Sequence, residues 1–118
     1  FEYGNGSVAL DQVVPFSIKR IYYVYDIPTA SERGGHAHIN LQQFLIAVKG
    51  SFDVVLKDGN KEQTIHLNNP NKGLLINRQI WREINNFSQG SVCLVVASAV
   101  YDEADYIRDY EVFMNQFK

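Results

Sequence analysis

The chain has a single cysteine, Cys93, so no intrachain disulfide is available and the fold must rest on a buried core. At 118 residues it is long enough to build one without a structural metal. Cys93 lies in the apolar run VCLVV, far from any basic activator, and reads as a buried strand thiol rather than a nucleophile. No apolar run approaches the ~20 residues that a membrane-crossing helix needs, and no stretch reads as a secretory signal. The expectation is a cytoplasmic protein with no membrane partner. Excess basic charge is also missing: 11 Lys and Arg stand against 13 Asp and Glu, a formal net charge of −2. The acids are concentrated, with Asp102, Glu103, Asp105, Asp109 and Glu111 set against Arg108 alone. This balance excludes a nucleic-acid surface and suits a small anionic ligand held by one or two arginines. No repeat, low-complexity tract or linker divides the chain. Position 1 is Phe rather than Met, so the expectation is a single domain over 1–118 that lacks its N-terminal start or was excised from a longer chain.

What is present is a series of short β-rich runs at 19–25, 43–49, 51–57, 63–67, 74–77 and 91–100, each closed by turn residues. Asp58-Gly59 between two such runs is a hairpin signal, and Gly50, Pro70 with Gly73, and Gln89-Gly90 punctuate the others. Many short strands without intervening helices predict an all-β sandwich or barrel. The period changes at the end: Tyr106, Ile107, Tyr110, Phe113, Met114 and Phe117 recur at three- and four-residue steps. That spacing predicts one C-terminal amphipathic α-helix with Asp102 as its N-cap and Glu103 and Asp105 in its first turn.

RGGHAH, at 33–38, carries the chemistry. Side chains alternate along a strand, so His36 and His38 are aimed into one volume, and the two glycines let backbone approach a ligand. The third histidine, His66, falls on the polar phase of its own strand and is read as structural. In 19–25, Tyr22 and Val24 share one face while Tyr23 and Tyr25 share the other, so only one pair looks inward. Ordinary packing is the preferred reading for Tyr23 and Tyr25.

His36, His38, Gln43 and Gly50 fall on the spacing of the first cupin motif, and in this the chain resembles a cupin. The resemblance implies a double-stranded β-helix, or jelly-roll, barrel. Metal-binding cupins carry glutamate at the position of Gln43 and a further histidine where NRQIWRE places Arg82. A neutral amide is a poor substitute for a carboxylate on a divalent cation, and a guanidinium repels one, so no metal is expected. PFSIKRIYYVYDIP, RGGHAH, LQQFLIAVKGS, WRE and LVVASAVYDEADYIRDYEVF together make the chain similar to the WxcM-like group, the dTDP-4-keto-6-deoxy-sugar 3,4-ketoisomerases.

That resemblance implies a cofactor-free isomerase acting on a dTDP-linked 4-keto-6-deoxy sugar, serving 3-amino-sugar synthesis for surface glycans. It also implies a homodimer with swapped strands and, in some members, a fused or partner acyltransferase. Moving a carbonyl from C4 to C3 requires a base that removes the C3 proton and returns one at C4, a task suited to an imidazole. His36 is assigned as that base and His38 as its neighbour, orienting substrate or relaying the oxygen proton. Arg33 is a candidate for the diphosphate or the developing enolate oxygen. Tyr22 is taken, by resemblance, as the hydroxyl that handles oxygen protons, and Gln43 as substrate-binding. Also by resemblance, members differ at the positions of Tyr3 and Arg82, with arginine and histidine as the alternative pair. A guanidinium is a poor proton donor, so with Arg82 present C4 is reprotonated from the His36 side and the gluco product is expected. Two rival readings are a nucleotide-sugar 3,5-epimerase, whose base pairs with an aspartate not seen in RGGHAH, and a sugar-binding cupin without turnover.

Overall fold

Strand formation follows from period-2 alternation, clearest in β4 (Phe52–Lys57). Its residues Phe52, Val54 and Leu56 enter the core while Asp53 and Lys57 face outward into polar pairings. The computed structural model describes residues 6–117, so Tyr3 lies outside the described residues. Two antiparallel sheets are formed. The first has the order β1-β8-β3-β6, built from β1 (Arg20–Val24), β8 (Val92–Ala97), β3 (Gln43–Lys49) and β6 (Gly73–Ile76). The second has the order β5-β4-β7-β2-β9, adding β5 (Glu62–Leu67), β7 (Trp81–Asn85), β2 (Arg33–His38) and β9 (Tyr106–Ile107). The all-β expectation holds at this level.

The sheets bury a shared core in which Leu45, Ala47, Cys93 and Val95 meet Phe52, Val54 and Leu67. The outer faces are also covered. Phe44, Ile46 and Val96 pack under Val14, Leu10 and Phe16 of the N-terminal segment, which includes the one-turn helix α1 (Leu10–Val13). On the second sheet, Ala37 and Trp81 pack under Phe113 of α2 (Tyr110–Asn115). Ala37 faces outward, so its neighbours His36 and His38 face the interior, as the i, i+2 spacing predicts.

The C-terminal segment departs from the expected single helix. Asp102 caps a 3-10 turn at Glu103–Asp105, accepting from the Ala104 amide, and the chain then extends as β9. Only Tyr110–Asn115 is α-helical, with Asp109 as its N-cap accepting from the amides of Glu111 and Val112. The free edge of β2 explains the difference: Ala37 and His38 gain a paired strand from Tyr106 and Ile107, which helix extension would deny them. A strand at Trp81–Asn85 is also absent from the sequence expectation, because its inward position is occupied by Arg82. The Asp58-Gly59 hairpin forms as expected, with the Asp58 carboxylate accepting from the amides of Asn60 and Lys61.

Candidate active site

Between the sheets lies a cavity of about 170 Å³ with a polar end and an apolar body. Sheet one contributes Tyr22, Val24, Gln43, Leu45, Cys93 and Val95, and sheet two contributes Arg33, Gly34, His36, Arg82 and Ile84. Larger grooves on the surface contain no histidine in their walls. Of the sequence-predicted residues, His36, Tyr22, Gln43, Arg33 and Arg82 therefore share one cavity, with Arg33 exposed. His38 lies beside it, fully buried, its ring 4.8 Å from that of His36 in an edge-on arrangement. Tyr23 and Tyr25 lie on the outer face and are 63% and 60% exposed, which corrects the packing expectation for them. The reason is that β1 is an edge strand, and among the described residues no element covers its outward face at Tyr23 or at Tyr25 just beyond its end.

Local backbone geometry sets the His36 tautomer. Gly34 adopts φ +83°, and β2 bulges between Gly34 and His36, which brings His36 opposite Arg82 on β7. The Gly34 carbonyl then lies 3.0 Å from His36 Nδ1. A carbonyl only accepts, so Nδ1 carries the hydrogen and the lone pair of the neutral ring resides on Nε2. That Nε2 is buried without a hydrogen-bond partner among the described residues. A Cβ at Gly34 would stand 3.0 Å from the Arg82 carbonyl oxygen, so the position excludes side chains on both conformational and steric grounds.

His38 is held from the other side. Its Nδ1 donates to the Asp105 carboxylate at 3.2 Å, and Asp105 also accepts from the amides of Asn40 and Leu41. The aspartate-histidine pairing not visible in RGGHAH is thus supplied from 67 residues away, and to His38 rather than His36. Tyr106 lies with its ring 4.9 Å from His36 and 4.3 Å from His38, and Arg108 stacks on it at 4.1 Å. Both residues escaped sequence reasoning, which placed them on a helix; no spacing signal links them to the histidines.

Arg82 is 1% exposed and donates to the Ile80 carbonyl from Nε and Nη2, at 3.3 and 3.0 Å, and to Gln43 Oε1 from Nη1 at 2.5 Å. Burial lowers its pKa to about 10, so it remains charged at neutral pH. That charge and burial together hold the imidazoles neutral. Burial first, then Arg82, lowers His36 to about 4, and burial, Arg82 and His36 likewise lower His38 against the opposing pull of Asp105. Burial raises Tyr22 above the usual phenol value and raises Cys93 to about 12, leaving that thiol inert. The donor set does not fit a divalent cation: the amide carbonyl of Gln43 accepts from a guanidinium, whose charge repels one. Activity is expected to survive exhaustive chelation, and a stoichiometric metal whose content tracks activity would contradict this.

The low His36 value has two consequences of defined sign. With His36 as the expected base, a free-enzyme kcat/KM profile should be flat through pH 6.5 and fall only as pH approaches about 4, because the imidazole is already deprotonated above that range. Between 6.5 and about 4 the unfolded imidazole binds a proton that the folded one refuses. Folding stability must therefore fall as pH drops through this window, by roughly 3 kcal/mol from His36 at its lower end. An acid limb centred near 6.5 would contradict the assignment.

Comparison with known proteins places these features in context. Residues 4–118 match the family described as "FdtA: WxcM-like, C-terminal". The chain is 47% identical over 100 residues to TDP-4-oxo-6-deoxy-alpha-D-glucose-3,4-oxoisomerase of Aneurinibacillus thermoaerophilus, covering 85% of this chain and 72% of that one. Among solved structures, a 3,4-ketoisomerase from Helicobacter canadensis is 50% identical with a TM-score of 0.86, over 91% of this chain and 80% of the other. The WlaRB TDP-quinovose 3,4-ketoisomerase from Campylobacter jejuni is 47% identical with a TM-score of 0.86, over 92% and 84%.

Proposed function

This chain belongs to the FdtA, WxcM-like C-terminal family and is an isomerase; from that premise we propose that it converts a dTDP-linked 4-keto-6-deoxyglucose to its 3-keto isomer through an enediol(ate). The observation that carries this reading is the lone pair of His36 Nε2, without a partner among the described residues and fixed by the Gly34 carbonyl in a cavity lined also by Arg82 and Tyr22.

His36 Nε2 takes the C3 proton, and the electron pair of the broken C3–H bond forms the C3–C4 double bond as charge moves onto O4. The Tyr22 hydroxyl donates to O4, and Arg82 stabilises the developing negative charge from within a low-dielectric site. The O3 proton departs toward His38 Nε2, buried and without a hydrogen-bond partner among the described residues, as the C3 carbonyl forms. C4 then takes a proton from solvent on the opposite ring face, and His36 releases the C3 proton to solvent. A proton passed from His38 back to Tyr22 restores both groups, so the product is an isomer of the substrate and the step calls for no redox cofactor. A cavity of about 170 Å³ falls below the ~300–1,000 Å³ of pockets that enclose whole small-molecule ligands, so it takes the sugar ring and leaves the nucleotide outside. Arg33, exposed on the cavity wall, is placed to meet the diphosphate.

The same reading extends to a jelly-roll barrel and to a strand-swapped homodimer, supported by Ile21 and Tyr23 lying exposed on edge strand β1 and Tyr25 just beyond its end. It further takes 1–118 as one domain acting in the cytoplasm to supply a deoxy-amino-sugar route. The product proposed is gluco-configured; because H3 and H4 lie on opposite faces of a gluco ring, C4 takes its proton from the face opposite His36, which corrects the expected same-face return, and Arg82, charged and a poor donor, supplies none, with Tyr3 completing that discrimination. Chemical reduction of the trapped product and identification of the C4 stereocentre tests this. A galacto product would contradict it.

A further inference from the structure

We infer that Gln43 fixes the direction of hydrogen bonding across the site and thereby makes Tyr22 a proton donor toward the cavity. It is a positioning residue rather than a substrate contact, and the role in turnover rests on the ketoisomerase reading above.

A guanidinium has only donors, so the Gln43 atom 2.5 Å from Arg82 Nη1 must be the carbonyl Oε1. This removes the usual ambiguity between the two ends of a buried amide. Arg82 cannot swing away, since its Nε and Nη2 are both held by the Ile80 carbonyl. The other end of Gln43 is therefore the NH₂ group, and it donates to Tyr22 Oη at 3.4 Å. With an amide hydrogen directed at its lone pair, the phenol must send its own hydrogen elsewhere, and Tyr22 lines the cavity. A chain of donors thus runs from backbone-anchored Arg82 through Gln43 to a Tyr22 hydroxyl that offers its proton to the ligand space.

Burial keeps that phenol protonated at working pH, with Tyr106 reinforcing the effect and the Gln43 hydrogen bond and Arg20, stacked 4.5 Å from the ring centroid, opposing it. The identity of residue 43 decides the sense of the chain. A carboxylate of the same shape would accept from Arg82 and from Tyr22 alike, turning the phenol hydrogen inward and leaving a lone pair facing the ligand. The amide is what permits donation.

The test is Gln43→Glu, alone and combined with Tyr22→Phe. The introduced carboxylate pairs with Arg82, so the variant should fold. Its kcat should fall by about 100-fold with KM changed less than about threefold. Added to Tyr22→Phe, it should cost nothing further, because the donor is already gone. A readout independent of turnover is the Tyr22 titration followed by NMR of ¹³Cζ-labelled tyrosine. Gln43→Glu should raise the Tyr22 pKa by more than about one unit, since a carboxylate acceptor favours the neutral phenol. Gln43→Met, which deletes the amide donor, should also raise it. An unchanged Tyr22 titration in both variants would overturn the inference, as would Gln43→Glu slowing the Tyr22→Phe enzyme by the same factor as the parent. A parent protein without ketoisomerase activity would overturn the functional reading alone, and the titration would still decide the hydrogen-bond direction.

Discussion

His36→Asn is expected to lose at least ~10³-fold in kcat while KM for the nucleotide sugar stays within a few-fold. The asparagine side chain can still donate to the Gly34 carbonyl, which now anchors His36 Nδ1 at 3.0 Å, so the local backbone has no reason to rearrange. What it lacks is a basic nitrogen that can take a carbon-bound proton. In the proposed reading binding rests on groups the substitution leaves in place, Arg33 and Arg82 among them, and the imidazole acts chiefly in the transition state. The same variant should be less acid-sensitive than the parent, because it removes a group whose folded pKa is held near 4. Steady-state kinetics and a thermal melt at two pH values check both effects. Retention of activity would move the base to His38.

Arg82→Met should separate stability from activity. Holding a guanidinium in the interior is costly, as the fall of its pKa to about 10 indicates, and among the described residues no carboxylate bonds to it directly. Removing it relieves on the order of 3 kcal/mol of desolvation. It also leaves the Ile80 carbonyl and Gln43 Oε1 without their present donor, at a cost of about 1–3 kcal/mol each. The two nearly cancel, so the melting temperature should move by only a few degrees. Turnover should nevertheless drop by at least ~10²-fold, since the charge facing the enolate is gone. The acid limb of the pH profile should move upward, because Arg82 is the second cause, after burial, of the low His36 value. A variant that unfolds, or one that retains full activity, would contradict this role.

The positions of the inward histidines were legible because strand alternation is a local property. Two residues apart on one strand means one face, and Ala37 between them confirms it by packing under α2. Tyr22 over Tyr23 was a choice between two faces that the sequence left open and the sheet order resolved. β7 was hidden because the residue on its inward phase is Arg82, so the apolar alternation that marks a buried strand is broken at the functional residue itself. The C-terminal misreading has a different cause. Tyr106 and Ile107 belong to a strand while Tyr110 and Phe113 belong to a helix, and their concatenation imitates a continuous helical period. Asp105 could not be found at all by pattern. Its partners are His38 and two loop amides more than 60 residues away in sequence, brought together by the pairing of β9 with β2.

The most direct test is incubation of the protein with dTDP-4-keto-6-deoxyglucose in deuterated water, followed by proton NMR. Resonances of the dTDP-linked 3-keto isomer are expected, with deuterium from solvent at C4. Unchanged substrate, or deuterium at C5 without a 3-ketone, would contradict the proposed isomerisation.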